Sequence, residues 1–355
     1  MFKEISINRF RSINKIDVLN LKNINLFVGS NNCGKTSILE AIFIITGVSN
    51  PKIPLTLNQF RDIDYLFDKG KNHKLIFYKM DYESGIEIKA KIRNEIRELK
   101  IGPYYEKENN ETTSTFDENF FKNPYFDTLS DNKNINGLDY NFKIDKKKYK
   151  AAIYRKGILF EEKRPINYRE TIIGTYVNPK SILKLLPEKL NNLIIKKKIF
   201  GIINILKKID KNIENISIGT DNLIYCDAGL SELVPINVMG DGIIRLLSII
   251  VTIANQRNGF IFIDEIENGL HHKTLKILWR TIFDMSREYN VQIFATTHSY
   301  ECIKAFQESF LFNKHQEEKD DISLYRIAKK EKEHKAYSFT NEELEELLID
   351  NWELR

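Results

Sequence analysis

Residues 29–36, Gly29-Ser30-Asn31-Asn32-Cys33-Gly34-Lys35-Thr36, restrict the fold of this chain more than any other segment. They follow the spacing G-x-x-x-x-G-K-[ST], with a continuous apolar run (INLFV, 24–28) before them and a helical pattern over 35–46 after them. A run that is apolar at every position is that of a strand buried on both faces, so the loop must join a central strand to a helix. Gly29 and Gly34 let the backbone bend until its N–H groups converge on phosphate oxygens, and the helix starting at Lys35 turns its positive end toward the same point. Lys35 brings a point charge to the β- and γ-phosphates, and Thr36 a hydroxyl to Mg2+. Ser30, Asn31, Asn32, Cys33 and Ser37 complete the expected phosphate-binding set.

Three other segments carry chemistry. Residues 260–265 (FIFIDE) deliver two carboxylates to the C-terminal end of a buried strand, where ligands bind in open α/β sheets. Asp264 suits Mg2+ and Glu265 suits general-base work on an attacking water; seen alone, such a pair also serves as a helix cap. Residues 291–299 (VQIFATTHS) form a strand ending at His298, whose neutral ring can hydrogen-bond a γ-phosphate or a water beside it, or simply cap an element. Residues 239–245 (MGDGIIR) place two glycines at the start of a buried helix. Either this is plain turn chemistry with Asp241 as the N-cap, or the loop touches a nucleotide held by another copy of the chain.

The remaining pattern is that of an α/β fold. Residues 2–8 alternate like a half-buried strand, and 16–18 give a second short one. Strands are expected over 75–80, 86–92, 96–101, 140–163 and 171–177, with a long loop or irregular insertion over 103–137. Helical spacing covers 180–211, where Pro187 is expected to separate two helices. Beyond it, strands at 216–218, 223–226, 260–263 and 291–295 alternate with helices at 243–253, 270–288 and 300–307. Strands at 323–328 and 336–339 and an acidic helix over 341–350, capped by Asn341, follow. The expected organisation is a single unit over 1–355. It comprises N-terminal strands and phosphate loop (1–73), an antiparallel β layer with the insertion (74–179), a helical lobe (180–214), a lobe carrying Asp264 and His298 (215–310), and C-terminal strands and helix (311–355).

In order along the chain, GSNNCGKTS, MGDGIIRLL, FIFIDEIENGLHH and FATTHS resemble the ABC-type ATPases of the SMC, RecF and OLD (overcoming lysogenization defect) branch. Phe10-Arg11-Ser12 matches that branch's N-terminal element, and Gly29 with Asn31 matches its form of the phosphate loop. The likeness is close over 1–47 and 233–306 and holds in outline between them. It implies a P-loop ATPase with a mixed core sheet, an antiparallel β layer and a helical lobe, using ATP and Mg2+. Lys35 and Thr36 would match the Walker A residues, Asp264 and Glu265 the Walker B pair, and His298 the switch histidine. Glu265, Lys35 and His298 would then be catalytic, Thr36 and Asp264 would hold the metal, and Arg11 would contact phosphate. Gly240 and Gly242 would reach the partner's γ-phosphate in a head-to-tail homodimer that sandwiches two nucleotides, with residues 268–271 at the dimer contact.

The sequence departs from the pattern in two places. Met239 or Gly240 stands where the signature carries a serine, so one hydroxyl donor is missing; Arg245 either replaces it or is a surface arginine. No Q-loop glutamine is identifiable, since no strand precedes Gln59. The MGDG and DEIENGLH elements resemble most the compact OLD-type AAA ATPases of antiphage defence loci. The stretch after His298 is too short for the Toprim nuclease of full OLD proteins. The resemblance therefore implies a switch or scaffold for a separate effector, a nuclease or toxin. A RecF-like repair ATPase that clamps DNA is the alternative, and a regulatory ATP switch with no nucleic acid the third.

Composition excludes several other classes. With 42% hydrophobic and 29% charged residues the chain has a globular balance, which excludes wholesale disorder. Three cysteines with no CxxC spacing exclude a disulfide framework and argue against structural zinc. The N-terminal segment lacks a signal peptide's apolar core, and the longest apolar run, 246–254, is too short to span a bilayer, so a cytoplasmic protein with no membrane partner is expected. A net charge of +5 is weak evidence for nucleic acid. The lysines at 146–148, 150, 196–198 and 207–208 can hold DNA or RNA phosphates or form solvated faces, and the aromatics of 103–137 can stack on bases or pack onto the body.

Overall fold

The computed structural model describes residues 1–63, 71–105, 135–156, 159–178, 182–312, 322–331, 333–339 and 343. The chain opens with β1 (Phe2–Phe10) and β2 (Ile13–Val18), then β3 (Ile24–Val28), buried at every position. The helix α1 (Lys35–Thr46) follows the loop, then α2 (Ile53–Gln59) and the single turn α3 (Lys71–Lys74). A run of strands comes next: β4 (Ile86–Ile92), β5 (Glu95–Tyr104), β6 (Gly137–Ile144), β7 (Lys147–Lys156), β8 (Leu159–Lys163) and β9 (Gly174–Val177). Helices α4 (Ile182–Ile195) and α5 (Ile199–Lys207) lead to a small sheet of β10 (Asn215–Ile218), β11 (Ile224–Asp227) and β12 (Val234–Pro235). The last part alternates α6 (Asp241–Ala254), β13 (Phe260–Ile263), α7 (His272–Tyr289), β14 (Gln292–Thr296) and α8 (Tyr300–Phe312), before the hairpin of β15 (Ile322–Lys330) and β16 (Glu333–Phe339).

Both chain ends build the core sheet, whose order is β16-β15-β3-β14-β13-β9. All its neighbours pair in parallel except β16, which runs antiparallel to β15. Because β3, β13 and β14 are parallel neighbours, their C-terminal ends open onto one edge, which brings Gly29, Asp264 and Thr297 together. A second sheet, β2-β1-β4-β5-β6-β7-β8, is antiparallel throughout. Its strands alternate, as Ile86, Ile88, Ala90 and Ile92 of β4 show by facing inward.

The helix α1 lies between the two sheets. It shares one apolar cluster with Ile5 and Ile7 of β1, Ile88 of β4, and Phe262 and Phe294 of the core sheet. Phe262 and Phe294 stack at 5.3 Å, and Phe43 of α1 meets Phe262 edge-on at the same distance. This double contact explains why α1 is apolar on nearly every side. Helices α4 to α8 cover the opposite face of the core sheet around Trp279, Leu246 and Ile250.

Three expectations need correction. Residues 75–80 form no strand: Phe77 makes one isolated bridge to Phe10, and residues 78–80 turn, with Lys79 at φ 54°. Ile76 and Phe77 are buried side by side, so the run plugs the end of β1 instead of alternating. Pro187 does not separate two helices but lies inside α4; the break falls at 196–198, where Lys197 has φ 55°. A proline there removes one backbone bond, a cost of about 3 kcal/mol, against which the helix buries Leu186, Leu190 and Leu193 on one stripe. Lysines 196–198 therefore make a turn, not a helical face. Apart from Glu343, the acidic helix expected over 341–350 lies outside the described residues, as does most of the 103–137 insertion.

Candidate nucleotide site

The loop after β3 is held in a conformation its glycines require. Gly29 has φ 141° and Gly34 φ 101°. A Cβ on Gly29 would come within 2.5 Å of the Ile327 carbonyl oxygen, so β15 leaves no room for a side chain there. Gly34 occupies the N-cap of α1 with no side-chain cap, so the first amides of the helix stay open to a ligand. Lys35 folds back over the loop, its Nζ donating to the carbonyls of Gly29 (2.8 Å) and Ser30 (2.9 Å). Asn31 and Asn32 line the cleft, Cys33 is buried beneath it, and Ser37 meets Ser12 with 3.3 Å between hydroxyls.

Thr36 and Asp264, 228 positions apart, meet here: Thr36 Oγ1 donates to Asp264 Oδ1 at 3.0 Å. Thr296 at the end of β14 donates to the same oxygen at 2.6 Å and accepts from the Glu265 backbone N–H at 2.9 Å. One threonine thus positions both acidic residues. Burial pushes the Asp264 carboxyl above its ordinary value; the hydroxyls of Thr296 and Thr36 oppose this, while the charges of Glu40 and Glu265 add to it. Glu265 has φ 46°, a left-handed backbone that turns it outward into the cleft wall.

Arg245 is neither a surface arginine nor a donor reaching outward. It is buried, and its NH2 donates to the carbonyls of Asp264 (2.8 Å) and Glu265 (3.2 Å). Burial lowers its pKa to about 10, against the raising effect of Asp264, Glu267 and Glu265, so it stays charged at neutral pH. The first turn of the helix opened by Gly240 is thereby tied to the acidic strand end.

His298 lines the cleft and is exposed, with its Nδ1 3.2 Å from Glu267 Oε1. Its backbone N–H donates to the same oxygen at 3.0 Å, so Glu267 fixes both ring and backbone. Arg11 lines the cleft too, but its Nε is committed to Glu40 at 2.7 Å. Gly240 and Gly242 do not line this cleft. Gly240, at φ 96°, is the N-cap of α6, a place expected for Asp241. Gly242 lies against the carbonyl of Gly269, where a Cβ would approach to 3.1 Å. The 239–242 and 268–271 segments therefore form one surface apart from the phosphate loop of the same chain.

The structure also brings in residues that sequence reasoning passed over. Glu40 is buried in α1 and holds Arg11 on one oxygen and Arg61 on the other at 2.9 Å, both arginines lining the cleft. Its signal was present: it is the single acidic residue of α1, set within the apolar stretch 38–45. Thr296 was visible only as part of the run ATT, and Lys329, which also lines the cleft, had no signal at all. The whole cleft has a volume of about 750 Å3. Among the described residues no helix is long and apolar enough to cross a membrane.

Comparison with known proteins gives the family and the fold. A family model described as an AAA ATPase domain matches residues 1–303. A protein of Helicobacter pylori (strain ATCC 700392 / 26695) named ATP/GTP phosphatase is 24% identical over 340 residues, covering 87% of this chain and 88% of that protein. Among solved structures, an SMC head bound to the C-terminal winged-helix domain of ScpA superposes with a TM-score of 0.52 at 12% identity, covering 97% of this chain and 99% of that one. That likeness establishes the ABC-type fold.

Proposed function

This chain belongs to the AAA ATPase domain family and is an ATP hydrolase, and from that premise we propose how its residues do the work. The carrying observation is the bond from Thr36 to Asp264, which joins the phosphate loop to the acidic strand end. ATP lies with its phosphates on the amides of residues 29–37 and the Lys35 ammonium. A hydroxyl and a carboxylate side by side are hard oxygen donors that suit Mg2+, which keeps its remaining ligands from water and substrate phosphate. Thr36 and Asp264 would hold it, and it would neutralise charge on the β- and γ-phosphate oxygens. Glu265 accepts a proton from water as the water oxygen attacks the γ-phosphorus; the bond to the β-phosphate oxygen breaks, giving ADP and phosphate. His298, oriented by Glu267, contacts the γ-phosphate or the attacking water. Arg245 and Thr296 hold Glu265 in place through its backbone.

In the same reading the 239–242 surface completes a second copy's site. Two chains sandwich two ATP molecules head-to-tail, Gly240 and Gly242 approach the partner's γ-phosphate, and residues 268–271 lie at the contact. ATP closes the dimer and hydrolysis opens it. The described residues act as one ATPase unit, interrupted between the phosphate loop and Asp264 by the antiparallel layer and the helical lobe. The output is control of a separate effector, a nuclease or toxin, in antiphage defence in the cytoplasm, as in the OLD-type proteins it resembles. A second reading, a DNA- or RNA-clamping ATPase, draws support from the outer face of the antiparallel sheet. There Lys143, ion-paired with Glu98 at 3.3 Å, lies directly across from Lys148, and exposed lysines of this kind can hold a nucleic-acid phosphate.

The test is sedimentation of the Glu265→Gln variant with and without Mg-ATP. A dimer that forms only with ATP is expected; a monomer at saturating ATP rules out the sandwich. Nucleic acid co-purifying with that trapped dimer would favour the second reading.

A further inference from the structure

The hairpin of β15 and β16 lies beyond residues 1–303, to which the family model extends, yet it forms part of the cleft wall. Strand β15 runs parallel to β3, with Arg326 paired to Val28 as the last partners. From that pair both strands run on side by side, β3 into the phosphate loop and β15 toward Lys329. The Ile327 carbonyl is packed against Gly29, and across the hairpin Lys329 is paired with His334. The His334 ring is buried against Gly34: a Cβ there would lie 3.5 Å from its Cδ2 and 3.7 Å from its Nε2. The hairpin is thus seated on both glycines of the loop, and this seating fixes where Lys329 emerges.

The other cations of the cleft are already engaged. Arg11 and Arg61 share Glu40, and Lys35 Nζ is bonded to two loop carbonyls. Lys329 is exposed, lines the cleft, and has no carboxylate or carbonyl partner among the described residues. A solvated ammonium beside a phosphate-binding loop, on a strand locked to that loop, has a polyanion as its natural counter-charge.

We propose that Lys329 is a further nucleotide-binding residue, its ammonium pairing with the phosphate chain of the nucleotide held by residues 29–36. The proposal rests on the reading of 29–36 as a phosphate loop and adds to it a contact from outside the matched domain. Lys329 acts as a point charge and leaves the chemical step to the residues already named. Its contribution is that of a solvated ion pair, so its loss weakens binding by up to about fivefold at low salt and by less at high salt.

The experiment measures equilibrium binding of Mg-ATP and of inorganic triphosphate to the full chain carrying Lys329→Gln, Lys329→Arg, Lys330→Gln or Lys35→Ala. Lys330 follows Lys329 on the same strand and does not line the cleft. The expected result is a matching loss for both ligands in Lys329→Gln, recovery in Lys329→Arg, and no change in Lys330→Gln. Affinity unchanged in Lys329→Gln while Lys35→Ala abolishes binding overturns the role of Lys329 alone. If Lys35→Ala also binds normally, the phosphate-loop reading falls and this proposal with it. A loss for ATP with none for triphosphate overturns the phosphate contact.

Discussion

Replacing Glu40 by glutamine tests whether the ion pairs under the cleft hold its cationic wall. Glu40 has a side chain 2% exposed, and its Oε2 accepts from Arg11, itself only 7% exposed, at 2.7 Å. Arg61 takes the other oxygen at 2.9 Å but is 39% exposed, so solvent screens it and its share is about 0–1 kcal/mol. Breaking a buried pair by neutralising one partner costs about 3–5 kcal/mol, because the other charge is left uncompensated. An amide keeps one acceptor oxygen, which lowers the expected loss for Glu40→Gln to about 2–4 kcal/mol. The freed charge keeps only a long bond from Arg11 Nη1 to the Leu75 carbonyl at 3.5 Å, and its Nη2 is already buried without a partner. At about 2–4 °C per kcal/mol for domains somewhat smaller than this one, the melting temperature should fall by roughly 5–10 °C. Thermal unfolding without nucleotide gives that number, and ATP titration should show weaker binding, since both arginines line the cleft. The Arg11→Met, Glu40→Gln double variant should lose less than the sum of the single losses, as contacting partners do. A melting temperature within about 2 °C of the parent, with strictly additive losses, would refute the reasoning.

Two further predictions concern residues at the cleft's edges. Arg245→Met removes the donor that holds the carbonyls of Asp264 and Glu265, so kcat should fall at least about tenfold, some 1.4 kcal/mol of barrier, with ATP affinity changed far less. Arg245→Lys should recover part of it, and an unchanged kcat in Arg245→Met would remove the positioning role. Burial, aided by the charge of Lys329, holds His334 below its ordinary value of 6.5, so the folded chain favours the neutral ring. The unfolded chain then binds more protons as pH falls, and stability present above about 6.5 is lost as pH drops toward the lower folded value. His334→Phe should flatten that acid-side decline in melting temperature; an identical slope in both proteins would show that His334 does not titrate there.

Much of the site was legible because phosphate chemistry leaves local marks. The run INLFV followed by Gly29 and Gly34 specifies strand, loop and helix together, and α1 spans Lys35–Thr46 as its spacing requires. The strand FIFI, buried at all four positions, was equally plain, since a strand covered on both faces has no polar alternation to confuse it. Tertiary partners were not legible. Glu40 looked like one acid in an apolar helix until Arg11 and Arg61 converged on it. Arg245 could not be assigned from α6 alone, because its partners are backbone carbonyls beyond the end of β13. The run at 75–80 was apolar enough for a strand, yet its apolar pair is used to plug the end of β1, which local pattern does not encode. Lys329 carries no motif; only the parallel register of β15 beside β3 brings it to the loop.

The central claim, that ATP is hydrolysed in the cleft lined by Lys35 and Glu265, is tested most directly by one paired measurement. Steady-state phosphate release and equilibrium ATP binding are recorded with Mg2+ for the parent chain, Lys35→Ala and Glu265→Gln. The expected result is ATP binding near the parental level in Glu265→Gln with turnover reduced by about 10²-fold or more, and loss of both in Lys35→Ala. Parental turnover in either variant would contradict the account.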